Sequence, residues 1–517
     1  MKRMLINVAY PEESRVAIVD HDGRQSNLLE IYIERPTSKT ILGNVYKAVV
    51  VNIEPSIQAA FVDCGEGQNG FLHVSDIMPL YGRVHEGGNG NGNGNGDDEG
   101  GPHRRDRKIQ DLLRLGQEVL VRVSKEAIGG KGPTLTTYLS LPGRGVVLMP
   151  SLIDRVRVSS KIEDERRRAK LREVVDQLDP PRGMGYILRT AAEEMTPDEL
   201  GGDLRFLLGL WGGICRLTQS NPAPSLVYSE PDLVTKTLRD VHTSDIQEVI
   251  VDTEEAYQKA KAFFGIVSPG QVERIKLHQD LEPLFIKYEI EDKIDKIYEH
   301  KVPLPSGGSI VLEQTEALVA IDVNSGRGYT GEKDIEETAL RTNLEAVREI
   351  ARQLRLRDMG GVIINDLIDM RNLSNRRQVE NEFRELLDKD RARTKMSTIS
   401  QFGIIEMTRQ RVGPSVKRHT HETCPNCNGT GWIRNLESMS LLCMRRIHIG
   451  LRDRRVESIE IAGHPKLLDK VEVERKDEIA MLRDKSGKKI SFRRDDRLPL
   501  SKIEASYTNA AAQKVGL

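Results

Sequence analysis

Residues 317–326, ALVAIDVNSG, and 360–370, GGVIINDLIDM, decide the reading of this chain, because each runs from a short apolar strand into an aspartate. The first run, Ala317 to Ile321, delivers Asp322 at its C-terminal end and then meets Asn324-Ser325-Gly326, a turn sequence. Residues 333–357 place Ile335, Ala339, Ala346, Ile350 and Leu354 at helical spacing, with Arg341 and Glu345 set for an i, i+4 pair. Such a helix can cross the sheet and return the chain parallel. After Gly360-Gly361 the second strand reaches Asn365-Asp366, with Asp369 a short step beyond. The layout is βαβ, with Asp322 and Asp366 near one edge if the two strands are neighbours.

Open α/β sheets take ligands outside the carboxyl ends of their strands, and two carboxylates held close together call for a cation. Oxygen ligands without a nearby His or Cys favour Mg²⁺ over zinc. A strand-end aspartate also suits a purely structural role, capping a turn or a helix.

Upstream, Asp245–Thr253 reads as a buried strand and Glu254–Phe264 as a helix, so β and α elements alternate. Further back, residues 161–178 form a charged amphipathic helix ended by Pro180-Pro181. The strand GYILRT follows, then a helix opening near Thr196-Pro197-Asp198-Glu199. Between Ile41 and Thr137 the texture is different: short β-rich runs separated by Gly, Asn and Glu-Pro breaks, the pattern of a small barrel. It is interrupted at residues 86–101 by EGGNGNGNGNGDDEGG, which cannot bury enough apolar surface to order itself. The HRRDRK run that follows reads as a solvated flank. Residues 4–10 and 15–34 read as strands.

In the barrel, Phe61 and Phe71 fall on neighbouring strand-like runs, with Lys125 and Lys131 further on. Aromatics beside lysines suit base stacking next to phosphate contacts, although a Phe on a strand also serves a core. The run Gly65-Glu66-Gly67-Gln68-Asn69-Gly70 fits GxGxxG, but the residues after it read as strand, which argues against a dinucleotide site. No GxxxxGK[ST], HExxH or GxSxG is present.

Cys424-Pro425-Asn426-Cys427, with Gly429 and Gly431 after it, is half of a zinc knuckle. His419 and His421 are too close in sequence to complete a tetrahedral site comfortably, so a second chain supplying its own pair is the better geometry. The alternatives are free thiols or a redox pair, and no thioredoxin-like pattern is evident around the motif.

With 517 residues the chain exceeds a single core, and 77 Lys plus Arg against 78 Asp plus Glu leave no global pull toward nucleic acid or membrane. Neither a signal peptide nor a bilayer-spanning run is evident, and five scattered cysteines do not make a disulfide framework. A cytoplasmic protein is the expectation.

AAFVDCGEGQNGFLHVSDI, ILRTAAEE, VPLPSGGSIVLEQTEALVAIDVNSG, DIEETALRTNLEAVREIARQLRLRDMGGVII and CPNCNGTG closely resemble the bacterial ribonuclease E/G family, in order over about residues 1–440. The resemblance implies a multi-domain α+β and α/β chain. A split RNase H-like domain would occupy 1–38 and 229–297, with an OB-type RNA-binding barrel inserted at 39–143 and a 5′ sensor at 144–228. A DNase I-like α/β catalytic domain would span 298–419, a zinc link 420–432 and a small dimerisation domain 433–517.

It also implies an endoribonuclease of single-stranded, A/U-rich RNA, acting in RNA processing and decay. Asp322 and Asp366 would hold Mg²⁺, and Asn324 would orient the phosphate or an aspartate. Phe61, Phe71, Lys125 and Lys131 would grip RNA. Arg189 and Thr190 would read a 5′-monophosphate, with Gly143, Val147 and Arg393 forming or supporting the pocket. Cys424 and Cys427 would share Zn²⁺ between two chains, giving a homodimer or homotetramer.

The sequence departs from the family at Ser159-Ser160, where an additional arginine is usual, so dependence on the 5′ end is expected to be weaker. It departs again at Asn365, in place of an apolar residue, and in the Asn-Gly insert. The long scaffold tail of ribonuclease E is not seen before Leu517. Rival readings are a noncatalytic RNA-binding assembly protein and an RNA exonuclease.

Overall fold

The computed structural model describes residues 1–23, 25–35, 40–78, 108–127, 132–152, 156–162, 164–326, 332–411, 421–511 and 513–516. Lys131, His419 and the 86–101 insert lie outside them. The chain divides into two compact units, Met1–His419 and Thr420–Leu517.

In the first unit, strands Lys2–Asn7, Ser14–His21 and Ser26–Glu34 form an antiparallel meander. Its open edge is covered by a strand from far along the chain: Ile246–Val251 runs parallel to Lys2–Asn7, and Ile275–Leu277 adds beyond it. Side chains alternate between faces along a strand. Accordingly Met4 and Ile6 pack with the helix Glu254–Val267 on one side, while Leu5 packs with Leu284 and Phe285 on the other. Because both faces are covered, the strands read as unbroken apolar runs.

Between these two contributions sits a closed five-stranded barrel. Val45–Glu54 pairs with Ala59–Asp63, which continues through Gly70–His73, Thr134–Thr136 and Glu118–Lys125 back to Val45–Glu54. Its interior holds Tyr46, Ala48, Val62, Leu72, Val121 and Leu135. A four-stranded sheet follows, ordered Val156–Val158, Gly185–Leu188, Val146–Met149 and Leu141–Pro142. It packs with the helices Glu165–Gln177 and Pro197–Ser220. The second helix opens on a capping box between Thr196 and Glu199, as the sequence indicated.

The last sheet of this unit has six strands: Lys301–Pro303, Ser309–Gln314, Leu318–Asn324, Gly361–Asp366, Ile404–Arg409 and Thr394–Met396. Only Leu318–Asn324 and Gly361–Asp366 are parallel neighbours, and the helix Glu332–Leu356 crosses between them. Ala339, Ala346, Ile350 and Leu354 are buried against the sheet. Ile335, counted with them by spacing, is 61% exposed in the first turns of the helix, outside the packed stretch. Glu345, expected to pair with Arg341, accepts the Ser306 backbone N–H at 2.8 Å.

The second unit is a three-stranded sheet, Lys489–Arg494, Ser458–Gly463 and Ile503–Thr508, whose first two strands are parallel. The helices Leu436–Arg452 and Pro465–Glu474 supply Met439, Cys443, Ile447, Leu467 and Leu468 to its core. No helix among the described residues is long and apolar enough to cross a membrane.

Candidate active site

Val319, Ile321 and Val323 face the crossover helix, so the period of two turns Asp322 and Asn324 to the opposite, exposed face. Ile363 and Asn365 face inward likewise, leaving Asp366 exposed. Asp322 pairs directly with Asp366 in the parallel ladder, which sets the two carboxylates on strands about 4.8 Å apart. Asn324 Nδ2 donates to Asp322 Oδ2 at 2.8 Å. Asp366 accepts no hydrogen bond from the described residues.

Asn324 continues the strand, pairing with Ser309, so the turn begins one residue later than its sequence suggested. The loop before Ser309 is pressed onto this corner. A Cβ on Gly308 would lie 2.6 Å from Asn324 O, and one on Gly326 would lie 2.6 Å from Gly307 O. Those two positions require glycine because backbone meets backbone there.

The donor set, two exposed carboxylates and an amide, is hard and suits a small cation that keeps much of its water shell. No group of three or more His, Cys, Asp or Glu residues able to hold a metal ion occurs among the described residues.

On the barrel, Phe61 is cross-strand from Phe71, their half-buried rings 6.0 Å apart and edge to face. The row continues through Thr134, which pairs with both Phe71 and Lys125, and Lys125 is exposed. His73 was missed by sequence reasoning. Two residues beyond Phe71 on the same face, it stacks on that ring at 6.5 Å and 25°, and the i, i+2 spacing could have flagged it.

Arg189 is already engaged. Its Nη1 donates to Gly143 O and to Asp240 Oδ1, both at 2.6 Å. Burial alone would raise the Asp240 carboxyl, but the Arg239 and Arg189 guanidinium groups outweigh it and hold the acid below its usual range. Arg239 also pairs with Glu230, whose N–H donates to Asn44 at the start of the barrel. Beneath this corner the buried Asp203 accepts the backbone N–H groups of Arg144, Gly145 and Val146, and burial nevertheless pushes its carboxyl up. A Cβ on Gly143 would strike both Asp203 oxygens at 2.6 Å.

Thr190 is exposed at the start of a 3₁₀ turn, and Val147 is half-buried between Pro142 and Ile187. Arg393 is exposed and electrostatically felt by Lys161, whose Nζ donates to the carbonyls of Asp390 and Arg391. Burial lowers the Lys161 ammonium, with Arg393 and Arg391 acting in the same sense against Asp390. Sequence reasoning noted the missing arginine at Ser159-Ser160 and passed over this neighbouring lysine.

In the second unit Cys424 and Cys427 lie in an exposed turn closed by Asn428 N–H to Cys424 O, 2.8 Å, and Thr430 N–H to Cys427 O, 3.0 Å. The N–H groups of Gly431 and Gly429 hold the Cys427 thiol below its usual range, which favours the thiolate a metal needs. Two thiols are half of a tetrahedral set.

A closed five-stranded barrel together with an α/β sheet that carries paired carboxylates at one edge is a combination suited to a multi-domain protein that handles nucleic acid. The S1 RNA binding domain model matches residues 39–136, the Ribonuclease E/G family model residues 140–412, and the RNase E/G thioredoxin-like domain model residues 423–507. The chain belongs to the ribonuclease E/G family.

It is 44% identical over 448 residues to Ribonuclease E of Haemophilus influenzae, covering 86% of this chain and 45% of that protein. Against Ribonuclease E of Escherichia coli K12 the values are 43%, 86% and 40%. Ribonuclease G of Salmonella typhimurium is 37% identical over 447 residues, covering 86% of this chain and 87% of that protein. The chain thus spans less than half the length of these ribonuclease E relatives. The thioredoxin-like description corrects the sequence reading, which found no such pattern around the cysteines. The cysteines themselves lie in a turn ahead of the Leu436–Arg452 helix and not in its first turn, where a helix dipole would activate a redox thiol.

Proposed function

We propose that this chain is a Mg²⁺-dependent endoribonuclease that hydrolyses single-stranded RNA, A/U-rich and favoured by a 5′-monophosphate, in RNA processing and decay. The observation that carries the reading is the direct parallel pairing of Asp322 with Asp366 on the exposed face of the sheet. These two carboxylates would hold the ion, which when bound supplies Lewis acidity toward the phosphate and toward water.

The chain's own residues do the positioning. Asn324 fixes the rotamer of Asp322 through its Nδ2. Phe61, Phe71 and His73 offer ring faces and edges to bases, and Lys125, with Lys131, neutralises phosphates. Arg189 and Thr190 receive a terminal phosphate over Gly143 and Val147, with Arg393 alongside.

The domain reading stays as the resemblance implies it: a split RNase H-like sheet, the inserted OB barrel, the sensor, a DNase I-like catalytic sheet, the zinc link and the small domain. Cys424 and Cys427 would share Zn²⁺ with a second copy, giving an even-numbered oligomer in the cytoplasm.

The test is cleavage of a circular, A/U-rich single-stranded RNA with Mg²⁺, comparing wild type with Asp322→Asn plus Asp366→Asn. Linear fragments from wild type alone are expected, and a circle excludes exonuclease action because it has no ends. Uncut circles with both proteins, despite binding, would favour the noncatalytic RNA-binding reading.

A further inference from the structure

We propose that Asn343 is a positioning residue for the carboxylate pair, fixing Asp366 through the backbone of Ile368; this rests on the reading of Asp322 and Asp366 as a magnesium site. Asn343 is fully buried in the middle of the crossover helix, within the stripe that contributes Ala339, Ala346 and Val347 to the core. A polar residue there needs partners.

It finds them in the backbone of one residue. Nδ2 donates to Ile368 O at 2.8 Å, and Oδ1 accepts Ile368 N–H at 3.0 Å. A carboxamide supplies both a donor and an acceptor, matching the C=O and N–H of a single residue; Asp lacks the donor and an apolar side chain lacks both.

Ile368 lies two residues beyond Asp366, where the ladder has just ended. Asp366 pairs with Ile404, Leu367 N–H reaches Gly403 O at 3.3 Å, and the chain then runs without regular structure to the helix Leu373–Asp388. Beyond that bond, the amide of Asn343 ties the stretch back to the crossover helix.

Two turns earlier on the same helix, Glu336 accepts the N–H groups of Arg371 and Asn372 and the Asn375 side-chain amide, each at 3.0 Å. The backbone N–H groups of Arg371 and Asn372 hold its carboxyl below the usual range. Glu345 accepts Ser306 N–H, pinning the loop that presses on Asn324 and Gly326. One helix therefore grips the loops on both sides of the pair, and Asn343 is its contact nearest to Asp366 along the chain. Loss of a group that orients a metal ligand through a direct hydrogen bond commonly lowers metal affinity by roughly 10–100-fold, and Asn343 acts one step further out, through the backbone, where the low end of that range applies.

The experiment compares wild type, Asn343→Ala and Asn343→Asp, each shown to be folded by circular dichroism, in three readouts. These are amide hydrogen exchange over residues 366–372, Mn²⁺ binding without RNA by electron paramagnetic resonance, and the Mg²⁺ dependence of cleavage. Exchange at Ile368 should accelerate, Mn²⁺ affinity should fall about 10-fold or more, and half-saturating Mg²⁺ should rise by a similar factor, with RNA affinity in the absence of metal unchanged. If neither variant folds, Asn343→Ser, which keeps a single polar group, is read the same way. Wild-type exchange over 366–372, or wild-type Mn²⁺ affinity in a folded variant, overturns the proposal. Asp322→Asn plus Asp366→Asn in the Mn²⁺ assay separates the two levels: if that protein binds Mn²⁺ like wild type, the reading of the pair has failed and not the role of Asn343.

Discussion

The carboxylate edge and the Arg189 corner hold their charges in opposite ways. Asp322 and Asp366 stand exposed, with one amide between them as partner, while Arg189 is bound to Asp240 and to a carbonyl before any ligand arrives. The carboxylates are pre-organised by backbone, through ladder pairing and the gripped loops, so their charge is left for something from outside. The guanidinium is pre-organised by countercharge, so any incoming anion would have to compete with Asp240. On the proposed function the first arrangement suits an obligatory ion and the second a graded response to the RNA end.

The largest effect that tests this contrast is at the edge. Asp366→Asn, leaving the fold intact, should abolish Mg²⁺-dependent cleavage to within the background of the assay; retained activity would end the comparison. At the corner, Arg189→Gln should remove the advantage of a 5′-monophosphate over a 5′-hydroxyl substrate while sparing cleavage of circles. Asp240→Asn should shift that ratio the other way by a few-fold, since Arg189 then loses its competitor; an unchanged ratio would mean Asp240 only orients the guanidinium.

A pH measurement sharpens the same region. The buried His242, edge to face with Phe264 at 4.9 Å, is pushed down to about 3 by burial first and then by Arg144 and Arg274, with Arg391 adding and Asp245 opposing. Its folded pKa lies below the unfolded value of about 6.5, so the unfolded chain binds the proton first. Stability should therefore fall as pH drops from about 6.5 toward 3, by up to ~1.4 kcal/mol per pH unit. Chemical denaturation of wild type and His242→Phe across that window checks it, and equal slopes would remove His242 as the cause. Smallest is His73→Ala on the barrel, which should weaken single-stranded RNA binding by about 1 kcal/mol, the lower end for a stacked ring, measured by fluorescence anisotropy.

The edge was legible in the sequence because its logic is local. A strand carrying Asp322 near its end, a helix at the right spacing and a strand ending in Asp366 follow one another, and period and turn chemistry suffice to read them to within the two residues by which the first strand runs on to Asn324. The barrel was legible for the same reason, down to the neighbouring Phe61 and Phe71. The corner was not, because Arg189 meets Asp240 from a distant segment, and Asp240 is shared with Arg239, which pairs with Glu230 and through it reaches Asn44. Nothing in the spacing of ILRT announces those partners. Asn343 lies between: it falls in the apolar stripe but went unremarked in the sequence, because its meaning depends on a loop 25 residues away. Asn365 is buried, its Nδ2 donating to Ile405 O at 3.2 Å while Oδ1 has no partner among the described residues, so only half of its polarity has a structural explanation.

The strand Lys2–Asn7 has a consequence for how the molecule is made. Its parallel neighbour Ile246–Val251 leaves the ribosome only after the barrel and the four-stranded sheet have been synthesised, a delay of roughly 10–50 s at ordinary elongation rates. Until then one edge of the N-terminal meander carries unpaired N–H and C=O groups beside Met4, Leu5 and Ile6, which are all fully buried in the finished protein. The nascent chain thus holds an aggregation-prone template open while its middle folds. Anything that slows translation before residue 246 should lower the yield of native protein more than the same pause placed after it.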